Sequence, residues 1–140
     1  PRAYRPAMSS SVRRELRCLD ERRAAALASL CETIVPGSAR VGSEVYIDAV
    51  LAKAPPAVRD AALAAIDTLA PHAGGGEEAL RPLAGTPEFL MIRALACEAY
   101  YSDFVAPGAD GPGAWQEIGF DFPLASRVVK DWSYLGVAGA

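Results

Sequence analysis

Few side chains in this 140-residue sequence are of a type that does chemistry, and none has the spacing a reaction needs. His72 is the sole histidine. Acid–base or nucleophilic work by it would require an acid or nucleophile held within hydrogen-bond reach. It stands instead in His72-Ala73-Gly74-Gly75-Gly76, which is flexible linker chemistry. The triplet Gly74-Gly75-Gly76 fails as a phosphate loop, because no strand precedes it and no Gly-Lys-Ser/Thr follows. Cys18, Cys31 and Cys97 make no Cys-x-x-Cys unit, and His-Glu-x-x-His is absent, so neither a metal nor an iron–sulfur site is indicated. Three thiols cannot all pair with one another, and buried free thiols favour a reducing compartment such as the cytoplasm. No Gly-x-Gly-x-x-Gly follows a strand, which excludes a flavin site of that fold. Arg93 and Glu98 are five apart and fall on different helix faces, reading as solvated or interhelically paired charges. Asp103 is placed to hydrogen-bond loop amides around Gly108. The expectation is a chain with no catalytic, cofactor-binding or metal-ligating residue of its own.

The elements that would position such residues are helical throughout. Thr86-Pro87-Glu88 opens a long central helix: a hydroxyl cap, a proline whose missing N–H costs nothing in the first turn, and an acid at the positive end. Phe89, Ile92, Leu95 and Ala96 recur at three- and four-residue steps to Tyr101, with Met91, Cys97 and Tyr101 widening the apolar arc. Earlier, Asp20 caps a helix with Leu27, Leu30, Cys31 and Ile34 inward, ended by Pro36-Gly37. A loop over 36–42 leads to Ser43, the expected cap of a helix to Ala54 with Val45, Tyr46, Ala49 and Val50 inward. Pro56 starts a third, whose inner stripe is Val58, Ala62, Ile66 and Leu69, and Glu77 to Arg81 suit a short helical turn. The fold class is therefore all-α: a small irregular bundle of four to five helices over residues 20–105, followed by a Gly/Pro-rich loop and aromatic segment over 106–140.

Hydrophobic residues are 51% of the chain and charged ones 22%, with no apolar run near the roughly 20 residues of a bilayer crossing. A domain of this size buries about two-thirds of its unfolded surface and needs no disulfide or metal to fold. Residues 1–23 carry seven arginines against three acids, a net +4, while the remainder carries −7. The basic arm, residues 1–19, reads as a flexible, solvated extension; contact with an acidic partner or nucleic acid is the functional alternative. Arg13-Arg14 is followed by charged residues where an export signal needs an apolar core, so no signal peptide is read.

Two blocks carry a resemblance. Tyr100-Tyr101-Ser102-Asp103 closes the long helix, and after the glycine loop comes Gly113-x-Trp115-x-x-Ile118-Gly119-Phe120; upstream stands Leu27-x-x-Leu30-Cys31-Glu32-Thr33-Ile34-Val35-Pro36-Gly37. In this order they resemble the gluconate 2-dehydrogenase subunit 3 family. The resemblance implies a non-catalytic small subunit that assembles or stabilises a large FAD-containing dehydrogenase of the glucose–methanol–choline class, which oxidises an alcohol, sugar or sugar acid. FAD is then expected in the partner. The glycine-flanked motif suits a fixed turn with Trp115, Ile118 and Phe120 packed on their own helices, and the stretch 122–137 is the stronger interface. The residues expected at an interface are Trp115, Phe120, Phe122, Trp132, Tyr134 and Leu135. Deletion beyond Pro123 is expected to leave a folded bundle and abolish association. The rival readings are a free-standing small helical enzyme and a nucleic-acid-binding module using the arginine arm.

Overall fold

The computed structural model describes residues 16–120 and 132–137, which form an all-α fold with no strand among them. The helices are α1 (Glu21–Ile34), α2 (Ser38–Val41), α3 (Ser43–Lys53), α4 (Pro56–Leu69), α5 (Gly76–Leu80), α6 (Pro87–Tyr101) and α7 (Ala114–Glu117). Short 3₁₀ turns lie at Ala70–His72, Arg81–Leu83 and Ser133–Leu135. Three starts follow the sequence rules. The Asp20 carboxylate accepts from the Arg23 amide at 2.7 Å, Pro56 sits in the first turn of α4, and the Thr86 hydroxyl accepts from the Phe89 amide at 3.3 Å.

α6 packs most extensively on α4 and also reaches α1, α2 and α3, which makes it the axis of the bundle. Its buried face is Ile92, Ala96, Ala99 and Tyr100, and that of α4 is Ala62, Ala65, Ile66 and Leu69. Alanines on both faces let the two backbones come close, while Leu27, Leu30, Cys31, Ile47 and Leu51 fill the volume around them. Phe89 and Leu95 are only half-buried, and Leu90 and Tyr101 are exposed.

Several expectations are corrected. Val58 is 51% exposed, because the first turn of α4 stands clear of the bundle. Ser43 is not a cap. Gly42 holds that position in the left-handed region, and Ser43 becomes the first helical residue, buried, with no hydrogen bond to its hydroxyl among the described residues. The loop expected over 36–42 contains α2, whose start is fixed by Glu32: its carboxylate accepts from the Gly37 amide at 3.0 Å and the Ala39 amide at 2.9 Å. The glycine stretch after His72 is a docked turn, with Ala73 buried, its carbonyl taking a bond from the Ser29 hydroxyl, and the Gly75 amide donating to the His72 carbonyl.

The described part of the basic arm is also docked. The amides of Arg17, Cys18 and Leu19 donate to the buried Asp48 carboxylate at 2.8 to 2.9 Å. The Arg17 guanidinium donates to the carbonyls of Leu135 and Gly136, and Lys53 Nζ to that of Tyr134. Arg22 and Arg23 both pair with Asp67 on α4. Three of the seven N-terminal arginines thus have partners within the fold, at or near its surface. The other four lie outside the described residues.

Candidate interaction surface

The end of α6 builds the surface. Asp103 takes φ 64°, a left-handed conformation uncommon for a side chain with a Cβ, and so turns the chain off the helix axis. Its carboxylate oxygen Oδ1 then accepts from the Trp115 amide at 2.9 Å, supplying an acceptor for the otherwise uncapped start of α7. A loop amide was expected as its partner, and the Trp115 amide is one that it takes. Gly113 is required here by space. A Cβ at that position would fall 2.8 Å from Asp103 Cγ and overlap the carboxylate itself.

Trp115 is half-buried, with Nε1 donating to the Tyr101 carbonyl at 2.9 Å and its ring edge-on to Phe120, centroids 5.6 Å apart. The Phe120 amide closes the turn on the Trp115 carbonyl at 2.8 Å. The expectation that this motif packs inward is corrected for two of its three members: Ile118 is 56% and Phe120 48% exposed. Tyr101, whose carbonyl takes the Trp115 Nε1 bond, is itself 50% exposed, so three large apolar side chains stand out on the segments that Trp115 ties together. Ala114 beneath is fully buried and anchors the turn.

The other expected interface residues are placed differently. Trp132 is half-buried against Tyr46 and Phe104, at centroid distances of 6.2 and 5.5 Å. Tyr134 is exposed beside it. Leu135 was expected at an interface, yet it is 3% exposed and belongs to this chain's own core. Phe122 lies outside the described residues.

Charged groups buttress both clusters, and sequence reasoning missed most of them. The Tyr100 hydroxyl donates to Glu117, which also takes a 2.7 Å bond from Arg40 Nη2. Burial, and then the bond to Glu117, pushes the Tyr100 phenol up to about 12. The Tyr46 hydroxyl donates to Glu98 at 3.0 Å, joining α3 to α6; burial first and this bond second raise the Tyr46 phenol. Arg40 and Glu117 are 77 positions apart, so no local spacing could have announced them.

Two of the three thiols are held toward the protonated form. Cys31 is fully buried and its thiol is pushed up to about 12 by that burial, which leaves no thiolate to act as nucleophile. Cys18 is raised in the same direction by burial and by Asp48. An open groove of about 170 Å³ lies between Ile34, Leu80, Ala84 and Phe89, smaller than the few hundred Å³ of ordinary ligand sites, and Arg81 at its rim is already paired with Glu77 and Glu78. No helix among the described residues is long and apolar enough to cross a membrane. No group of three or more His, Cys, Asp or Glu among them is placed to hold a metal ion. Comparison with protein-family models, curated proteins and solved structures finds no match to this chain.

Proposed function

We propose that this chain is the non-catalytic small subunit of a flavin-dependent oxidoreductase complex, stabilising or assembling a larger FAD-containing partner that oxidises an alcohol, sugar or sugar acid. The resemblance of the two sequence blocks supplies the class of partner. The observation that carries the reading is the exposure of Tyr101, Ile118 and Phe120 on the two segments joined through Trp115. Large apolar side chains at half exposure, on a turn tied down by five polar contacts, form a surface that is prepared rather than accidental. Rigid aromatic anchors lose little conformational freedom on docking, which is how a small surface contributes affinity.

Co-expression of the chain with a large FAD-containing dehydrogenase of the glucose–methanol–choline class, taken from an adjoining reading frame, tests the proposal. The expected result is a stoichiometric complex that carries flavin absorbance through size exclusion. A chain that elutes alone, colourless, while the flavoprotein is fully folded and active without it, overturns the reading.

A further inference from the structure

α7 is a single turn, and a helix of that length has no stability of its own in water. What holds it is a charge relay between three elements. Glu117, its last residue, accepts from the Tyr100 hydroxyl on α6 and from Arg40 on α2. The same guanidinium uses Nη1 to bind the Pro112 carbonyl at 2.6 Å and the Asp110 carbonyl at 3.3 Å. One planar fork therefore grips the loop that enters α7 and the acid that ends it. Gly37 closes the underside. It has φ 97°, and a Cβ there would sit 3.1 Å from the Tyr100 hydroxyl oxygen and 3.4 Å from the Glu117 carboxylate. Glu32 fixes the Gly37 amide from below.

We propose that Glu117 is the positioning residue of the aromatic surface: its engagement by Arg40 and Tyr100 is a latch that fixes where Trp115, Ile118 and Phe120 face. The latch is a property of the free chain, and its use in docking rests on the function proposed above. Glu117 itself is partly exposed, with 46% of its side chain accessible, so its replacement leaves the helical core intact.

The experiment reads Trp115 alone, in a Trp132→Phe background, by acrylamide quenching. Glu117→Gln and Arg40→Gln are each expected to raise the quenching constant by about twofold or more with far-UV circular dichroism unchanged, and the double variant no further than either single one. Tyr100→Phe, which removes a hydroxyl and nothing else, is expected to give a smaller rise in the same direction. Quenching constants that do not move in any variant, or that add fully in the double one, overturn the latch. A Glu117→Gln chain that loosens Trp115 yet binds the flavoprotein with undiminished affinity leaves the latch standing and removes its role in docking.

Discussion

Asp48 shows what a single side chain does in this fold. It is 3% exposed and accepts three consecutive backbone amides, those of Arg17, Cys18 and Leu19. Asp48→Ala leaves those amides without an acceptor and is expected to lower stability by about 2–4 kcal/mol in urea unfolding, well above an exposed acid-to-alanine change. Asp48 interrupts the apolar run of Val45, Tyr46, Ile47 and Ala49 but was not singled out, and its partners some thirty residues earlier are backbone amides, which have no residue signature. Tyr100 gives a pH prediction. Its folded phenol, pushed from the ordinary 10.0 up to about 12, is favoured in the protonated form. That contribution to stability is complete below pH 10 and is lost as pH rises toward 12. Ultraviolet phenolate titration of wild type against Tyr100→Phe is expected to assign the missing step to that late range, and a difference titrating near 10 would contradict the hydrogen-bonded placement.

At the scale of elements, legibility follows locality. α1, α4 and α6 were readable because their caps and periodicity sit within a few residues: Asp20, Pro56 and Thr86 occupy the positions expected of them. α2 was not. Its start is held by Glu32 in the preceding helix, and Gly37 and Gly42 bracket it with left-handed conformations that also signal a plain loop. α7 was legible as a glycine-flanked turn, but which way its apolar residues face depends on Asp103, Tyr100 and Arg40, contacts no period encodes. Gly113 tests that account. Its φ of −72° suits any residue, so Gly113→Ala acts through space alone. It is expected to displace Asp103, break the cap on the Trp115 amide and cost about 1–3 kcal/mol, read as a lower midpoint together with red-shifted Trp115 emission. Gly108→Ala, where a Cβ meets nothing and only the positive φ is strained, is expected to leave Trp115 emission unchanged.

Across the whole molecule, the two ends of the described chain meet on α3. Arg17 binds the Leu135 and Gly136 carbonyls, Lys53 that of Tyr134, and Leu135 fills the core beneath. The expectation that deletion beyond Pro123 leaves a folded bundle and abolishes association meets a further consequence: the truncation also uncovers Tyr46 and Phe104 and empties the Leu135 site. Leu135→Ala alone is expected to cost about 2–4 kcal/mol in chemical unfolding. A loss below about 0.5 kcal/mol, the range of ordinary surface substitutions, would mean that the C-terminal turn is not part of the core. Roles then separate: Trp132 and Leu135 pack on this chain's own core, while Tyr101, Ile118 and Phe120 are among its exposed large apolar residues. The decisive measurement is the affinity of the Ile118→Asp/Phe120→Asp double variant for the flavoprotein, compared with wild type by titration calorimetry. Both side chains are about half exposed, so the fold is expected to persist, and affinity is expected to fall by roughly a hundredfold or more, the loss of about two interface anchors. A folded double variant that binds as tightly as wild type would contradict the assignment of this surface.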